Sequence, residues 1–236
     1  MLFWIPATFA AFFIKGLCGF ANTLVFTSLM SFATGNASIS PVELILGYPT
    51  NVILAWKNRK QLDRRIWLPL SALVLAGSIP GALLLKNTDS RLIKIIFGSA
   101  VILIALEMLL RNYLRLKGCR LLLPVIGVLS GLLCGLYGIG ALLAAYVGRV
   151  TETGSEFKAN LSAVFIVENT IRIFVYAALG LMSPASLMRA AFLSPVMLLG
   201  LLAGMKSAGV LSDSIVKTIV ILLLIVSGTV LIVQNI

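Results

Sequence analysis

The chain has 236 residues, of which 60% are hydrophobic and only 11% are charged. Its mean hydropathy is +1.07. This composition leaves too little polar surface for a soluble globular protein, so it predicts an all-α polytopic membrane protein surrounded by lipid. The formal net charge is +11, but the basic residues cluster between apolar stretches, where they set orientation in a membrane. We therefore expect no nucleic-acid partner.

Apolar stretches of membrane-spanning length indicate about eight transmembrane helices. They cover residues 2–33, 41–56, 67–86, 91–110, 121–148, 157–180, 185–208 and 214–235. The first and the fifth are longer than a straight crossing requires, and both contain glycine motifs. The sequence leaves open whether these two are tilted, broken or re-entrant.

The first span carries a lysine near its middle. Lys15 directly precedes the run from Gly16 to Asn22, which includes Gly19. A charge at membrane depth usually faces a protein cavity or a pathway, although a lysine can also extend toward the interface. Glycines in such a run either allow close helix packing or unwind the helix and expose backbone N–H groups. A cation beside the freed N–H groups of a broken helix would form an anion site.

The second span contains Tyr48, Pro49, Thr50 and Asn51 within an apolar helix. Pro49 frees a carbonyl one turn earlier, and Thr50 and Asn51 add hydrogen-bonding side chains. Thr50 and Asn51 are candidates for substrate binding, but a buried asparagine can equally serve as a hydrogen bond between helices. Glu43, earlier in this span, is a candidate for proton coupling.

Basic residues fill the loops that follow the second and fourth spans. They are Lys57, Arg59, Lys60, Arg64 and Arg65 in one loop, and Arg111, Arg115, Lys117 and Arg120 in the other. The excess of positive charge predicts that both loops are cytoplasmic. With eight spans, both termini of this multi-pass protein are then expected in the cytoplasm as well.

The sixth span contains two opposite charges on one helix face. Glu168 and Arg172 are four residues apart, so they can pair within the bilayer. The pair either serves only to neutralise its own burial, or Arg172 meets an anion while Glu168 positions it or takes up a proton. Asn169 lies between them and is the expected counterpart of Asn51.

The two halves of the chain resemble each other. Gly77, Gly81 and Lys94 recur at a constant offset as Gly200, Gly204 and Lys217, and the run GLCGFA at 16–21 corresponds to GLYGIG at 135–140. We therefore expect two four-helix repeats, 1–116 and 121–236. Because four spans return a chain to the same side, these copies are expected to be parallel. The fifth span adds Gly135, Gly138 and Gly140 to the candidate substrate site.

A glycine-rich motif near the start of each half, followed by a polar second helix and a third helix with glycines, resembles the sulfite exporter TauE/SafE family of membrane permeases. This resemblance implies export of sulfite, a sulfonate or a related small organic anion across the bacterial inner membrane. The chain departs from the fuller glycine run of many relatives at Ala21, Asn22 and Ala141. The departure concerns which substrate is carried more than the fold.

These features predict an alternating-access exporter whose small anion binds between the halves. An inside-negative potential of about 100 mV contributes roughly 2.3 kcal/mol per exported negative charge, so the sequence does not decide whether protons are coupled. It also does not decide whether the protein is a homodimer. We expect no enzymatic activity, metal or cofactor, because the chain lacks histidine and metal-spaced carboxylates.

Two alternatives stay open from the sequence. One is a thiol relay through Cys18 and Cys134, although these cysteines do not occupy equivalent positions in the two halves. The other is a cation or amino-acid permease that uses Glu43 and Glu168, which Lys15 beside the glycine run disfavours.

Overall fold

A computed structural model describes residues 3–31, 36–87, 123–138 and 140–208 without interruption, together with scattered positions within 91–109 and 218–233. The uninterrupted ranges form eight α-helices and one short 3-10 helix, Arg59–Gln61, with no strand among them. The helices are α1 Trp4–Cys18, α2 Asn22–Ser31, α3 Asn36–Lys57, α4 Arg64–Asn87, α5 Leu123–Tyr137, α6 Ala141–Val150, α7 Gly154–Ala178 and α8 Pro184–Ser207. The basic loop at 111–120, Lys94 and Lys217 lie outside the described residues.

Three of these helices contain stretches long and apolar enough to cross a membrane, namely Arg64–Leu84, Gly154–Ala178 and Pro184–Ser207. Two of them begin with a side-chain cap that satisfies a free backbone N–H group. The side chain of Thr153 accepts a hydrogen bond from the Glu156 N–H group, and that of Ser183 accepts one from the Ser186 N–H group. Pro184 occupies the first turn of α8, where its missing N–H group does no harm.

The first long apolar stretch is broken, and its second part folds back on the first. Gly19 ends α1 in the left-handed conformation, with φ +88°, and its N–H group donates to the Lys15 carbonyl at 2.7 Å. The rings of Trp4 and Phe26 are 5.9 Å apart. In one straight helix these residues would be about 33 Å apart. Residues 4–31 therefore form a helical hairpin.

The fifth predicted span is broken at the matching place. Gly138 has φ +74°, and its N–H group donates to the Cys134 carbonyl at 2.6 Å. The new helix α6 then begins at Ala141. Both glycine runs therefore interrupt a helix, which answers the question that the sequence left open.

Close glycine contacts join each broken helix to the last long helix described in the other half. Gly200 lies against the backbone of Phe9 and Phe13, and Gly204 lies against Phe13 and Gly16. The residue numbers rise together along both helices, so α1 and α8 run parallel. Small residues at such a contact let two helix backbones approach closely.

The contact between α4 and α5 repeats this arrangement with the halves exchanged. Gly77 lies against the backbone of Val128 and Leu132, and Gly81 lies against Leu132. Gly135 in turn lies against Ser78 and Ala82, as Gly16 lies against Leu201 and Met205. These two helices also run parallel. The glycines that recur in the sequence therefore make the same contacts in the same register.

Helices α3 and α7 each follow one of the two interrupted stretches. They pack against each other in opposite directions. Ser40 contacts Tyr176 at 3.0 Å through the hydroxyl groups, and Tyr48 contacts Thr170 at 3.2 Å. Residue numbers therefore rise along one helix as they fall along the other. The expectation that corresponding helices run in the same direction is wrong for this pair.

One end of the helix bundle is marked by the basic residues of the α3–α4 loop, Lys57, Arg59, Lys60, Arg64 and Arg65, and we call it the basic face. The first turns of α7 lie there, because the Asn160 amide accepts from the Asp63 N–H group at 2.9 Å. The end of α8 lies there too, with Lys57 Nζ 4.0 Å from Met205 Sδ. Since α1 runs parallel to α8, α1 begins at the opposite end.

Candidate functional site

A small cavity lies between the two helix breaks and the helices α3 and α7. Its volume is about 20 Å³, which is room for about one water molecule. The lining residues are Lys15, Phe20, Ala21, Asn22, Thr23, Leu24, Glu43, Gly47, Asn51, Gly138, Gly140, Phe165, Asn169 and Arg172. Residues from both halves of the sequence thus meet at one cavity.

Lys15 is buried and faces this cavity. Its side chain is 2% exposed, and its Nζ lies 3.5 Å from the Gly47 carbonyl. That carbonyl also accepts a hydrogen bond from the Thr50 hydroxyl at 2.6 Å. The Thr50 side chain is therefore bonded within its own helix and does not line the cavity. Lys15 therefore does not extend toward an interface, and its one described hydrogen bond is long.

The carboxylate of Glu43 lies at the beginning of α2. Its Oε1 accepts hydrogen bonds from Asn22 Nδ2 at 2.5 Å and from the Thr23 hydroxyl at 2.6 Å. Both donors belong to the first turn of α2, where unpaired backbone N–H groups and the helix dipole favour negative charge. This helix start therefore has the character of an anion-binding position.

Arg172 connects the two buried carboxylates. Its Nη2 lies 3.8 Å from Glu43 Oε2, and its Nε lies 3.6 Å from Glu168 Oε1. Its Nη1 donates to the Cys134 carbonyl at 2.7 Å, and Nη2 also donates to Asn169 Oδ1 at 3.0 Å. Arg172 is thus held on several sides, which fixes its guanidinium at the edge of the cavity.

The predicted pair of Glu168 and Arg172 is present, but only Arg172 lines the cavity. Glu168 Oε1 also accepts from the Ser78 hydroxyl at 3.0 Å, so this carboxylate is directed toward α4. The four side chains Lys15, Arg172, Glu43 and Glu168 carry balanced formal charges when all are ionised. Burial of a balanced set costs much less than burial of any one charge alone.

The two asparagines differ in how well they are satisfied. Asn169 accepts from Arg172, whereas Asn51 Oδ1 has no hydrogen-bond partner among the described residues. A buried polar atom without a partner is unfavourable, which suggests that a ligand or water completes its hydrogen bonding. Asn51 lines the cavity, so such a ligand would reach it there.

The glycines of the two runs divide into two groups. Gly16 and Gly135 lie at helix contacts and not at the cavity, because a side chain at either would collide with the backbone of α8 or α4. Gly19 lies against the Lys158 side chain and turns the chain away from α1. Gly138 and Gly140 line the cavity, where they leave room for the Arg172 guanidinium and the Phe165 ring.

Some residues near the cavity gave no signal in the sequence. Thr23, Phe20 and Phe165 line it, but a threonine or phenylalanine in an apolar helix is too common to stand out. Lys158 gave no signal either, because it lies near a predicted helix end, where lysines are common. Its Nζ lies 3.5 Å from the Gly16 carbonyl, close to the first break.

A second and larger cavity opens at the basic face. It has a volume of about 330 Å³ and lies between the end of α3, the start of α7 and the end of α8. Lys57 and Lys158 both line it. Lys158 therefore lies between this cavity and the first helix break.

The described residues contain no cluster of three or more His, Cys, Asp or Glu side chains that could hold a metal ion. Cys18 and Cys134 are both buried and are not joined in a disulfide. The side chains that line the site offer charged and hydrogen-bonding groups.

Comparison with protein families gives one match over nearly the whole chain. A family described as sulfite exporter TauE/SafE matches residues 4–231, which confirms the resemblance carried by the glycine motifs. Neither the curated proteins nor the solved structures gave a match.

Proposed function

Because the chain belongs to the sulfite exporter TauE/SafE family, a family of membrane transporters for sulfur-containing anions, we propose that it exports sulfite, a sulfonate or a related small organic anion through the cavity between the two breaks. The observation that carries this assignment is that two buried cations, Lys15 and Arg172, face one cavity at two interrupted helices. Buried charges that face a cavity within a membrane protein mark a substrate pathway.

The site offers donors suited to an oxyanion. Lys15 contributes a positive charge whose described hydrogen bond is long, and Arg172 contributes a fixed guanidinium. The first residues of α2, Asn22, Thr23 and Leu24, line the same cavity, and the start of an interrupted helix favours an anion. Asn51 and Asn169 complete the proposed shell. Both buried carboxylates lie beside Arg172, so neither is free to select a cation, which disfavours a cation permease.

We further propose that the halves form an inverted repeat. The exchanged contacts of α1 with α8 and of α5 with α4 support a two-fold relation, and the opposite directions of α3 and α7 favour an axis across these helices. For helices that cross a membrane, such an axis lies in the membrane plane. The sequence predicted parallel copies, because four crossings per half return the chain to the same side. We propose the inverted arrangement in their place.

An inverted repeat follows if each broken stretch enters and leaves the membrane on one side. Each half then has three full crossings and one hairpin. Helix α5 runs parallel to α4, which begins at the basic face, and α6 is followed within three residues by α7, which begins there too. The α5–α6 hairpin therefore returns to the basic face, and the α1–α2 hairpin returns to the opposite face.

This proposal changes the expected orientation of the N-terminus. The positive charge of the basic face makes it cytoplasmic, so α1 begins on the outer side and not in the cytoplasm. Impermeant maleimide labelling of intact cells tests this, with Phe3→Cys and Lys60→Cys each introduced into a cysteine-free background. Phe3→Cys should label from outside, whereas Lys60→Cys should label only after the cells are opened. Labelling of Phe3→Cys only in opened cells would refute the inverted arrangement.

The structure corresponds to a closed step of the proposed alternating-access cycle. The site has room for about one water, and the larger cavity at the basic face is lined by Lys57 and Lys158 but not by Gly19. In the proposed cycle, an anion is attracted by Lys57 and Lys158, enters the site as the first break shifts, and leaves when the halves move apart on the other side.

Anion flux in proteoliposomes tests the site. Lys15→Ala and Arg172→Lys should each reduce sulfite flux by at least about tenfold. The first variant removes a positive charge from the site, and the second keeps the charge but removes the planar guanidinium with its fixed donors. Lys60→Ala, a change of an exposed lysine at the basic face, serves as the matched control and should change flux by less than about twofold. Unchanged flux in both site variants would refute the assignment.

A further inference from the structure

Glu43 places a negative charge where an anion is expected to bind. Its Oε1 accepts two hydrogen bonds from the first turn of α2, and its Oε2 lies 3.8 Å from the Arg172 guanidinium. Oε2 is buried and has no hydrogen-bond partner among the described residues. A helix start and a nearby guanidinium are the two features that favour an oxyanion. The protein's own carboxylate therefore occupies this position.

The cavity is too small to hold the Glu43 carboxylate and a sulfur oxyanion together. About 20 Å³ accommodates roughly one water molecule beside the carboxylate. A sulfur oxyanion is several times larger than a water molecule. It therefore reaches the start of α2 only when the Glu43 side chain gives up its present contacts.

Charge balance gives a second reason for competition. Lys15 and Arg172 are the cations that act on Glu43, and Glu168 is the other buried carboxylate of the group. With all four ionised, the set is neutral, so an added monoanion would leave an uncompensated buried charge. If Glu43 takes up a proton, the monoanion restores neutrality.

We propose, on the premise of the proposed function, that Glu43 is a tethered competitor of the transported anion, and that the anion binds only when a proton neutralises this carboxylate. The proton comes from the solution on the loading side and is released with the anion on the other side. One proton then accompanies each monoanion, and the loaded and empty sites have the same charge.

The titratable and charged groups that face Glu43 come from three elements. They are Lys15 in α1, Arg172, Glu168 and Tyr176 in α7, and Cys134 in α5. From α2, Asn22 and Thr23 contribute neutral donors. Glu43 is the better proton carrier than Glu168 because Glu43 lines the cavity, whereas Glu168 faces Ser78.

Binding of methanesulfonate to the purified protein tests the proposal, because this probe stays a monoanion between about pH 5 and about pH 8. Wild-type affinity should fall by up to about tenfold per unit of rising pH once Glu43 ionises, as coupling to one proton requires. Glu43→Gln should bind at about pH 8 as tightly as the wild type does at about pH 5. Its affinity should fall with rising pH clearly less steeply than that of the wild type.

Glu168→Gln is the matched control. It removes a partner of Arg172 and should weaken binding, but it should retain the wild-type dependence on pH. Thr23→Val is a second variant, should Glu43→Gln fail to fold. It removes a hydrogen bond to the ionised carboxylate, so the pH profile of binding should move to higher pH.

A flux measurement gives an independent readout. In proteoliposomes, wild-type methanesulfonate flux should not respond to an imposed membrane potential, whereas flux through Glu43→Gln should respond. If the wild type binds the probe but Glu43→Gln binds it more weakly or keeps the pH dependence, this inference is overturned and the proposed function stands. If the wild type binds neither methanesulfonate nor sulfite at any pH, both are overturned.

Discussion

The two helix breaks begin with the same backbone turn but obtain their positive charge differently. Each follows a helix that ends in a glycine with positive φ, Gly19 or Gly138, whose N–H group donates to a carbonyl four residues earlier. At the first break the cation, Lys15, belongs to the broken helix itself. At the second, Cys134 stands at the matching position, and Arg172 reaches its carbonyl from α7.

This difference separates the scaffold from the chemistry. The glycine contacts correspond between the halves, because packing depends on small residues at fixed positions. The charges do not correspond, since Cys134 stands where the first break has Lys15. Arg172 is fixed by Glu43, Glu168, Asn169 and the Cys134 carbonyl, whereas Lys15 has one long hydrogen bond. We therefore regard Arg172 as both a structural and a binding residue, and Lys15 as the more adaptable cation.

The largest expected effect distinguishes these two cations by stability. Arg172→Ala leaves Glu43 and Glu168 buried without their guanidinium, so the free energy of unfolding should fall by about 3–5 kcal/mol. Lys15→Ala removes a cation that makes one weak contact, and the Gly47 carbonyl keeps its bond from Thr50. Glu43 loses this cation but keeps Arg172, so the cost should be smaller than that of Arg172→Ala, about 1–2 kcal/mol.

Chemical unfolding in detergent micelles measures both variants. Arg59→Ala is a suitable reference, since this exposed arginine lies over the Trp56 ring and should contribute about 0.5–1 kcal/mol. Equal losses for Arg172→Ala and Lys15→Ala would contradict the distinction between a fixed and an adaptable cation.

A smaller effect tests the repeated scaffold. At both Gly81 and Gly204 an added methyl group would collide with the backbone of the facing helix. Gly81→Ala and Gly204→Ala should therefore each cost about 1–3 kcal/mol, with values within about 0.5 kcal/mol of each other.

The same unfolding assay applies to this pair. Gly154→Ala is the control, because a methyl group there meets nothing within 4 Å, and alanine favours the helix by up to about 1 kcal/mol. A large cost at only one of Gly81 and Gly204 would argue that the two contacts are not equivalent.

The smallest effect concerns the cysteines near the two breaks. The Cys18 thiol donates to the Ile14 carbonyl at 3.0 Å, and a serine hydroxyl can make a similar bond. The Cys18→Ser, Cys134→Ser double variant should therefore change anion flux by less than about threefold. Loss of flux in this variant while the protein stays folded would instead support a thiol relay.

Much of the site could be predicted because buried charges are rare in apolar sequence. Lys15, Glu43, Glu168 and Arg172 stand out from their surroundings, and they meet in the structure. The glycines could also be recognised, but their roles could not be separated. Gly16 contacts a neighbouring helix and Gly138 faces Arg172, although both belong to similar runs.

The sequence by itself determined that the protein is helical and membrane-embedded, because hydropathy and span length are local properties of the chain. It also determined which glycines correspond, because their spacing is visible in one dimension. Only the tertiary structure decided that the first stretch folds back and that α3 and α7 run in opposite directions. An apolar stretch has the same composition whether it crosses or returns, so direction depends on contacts between residues far apart in the chain.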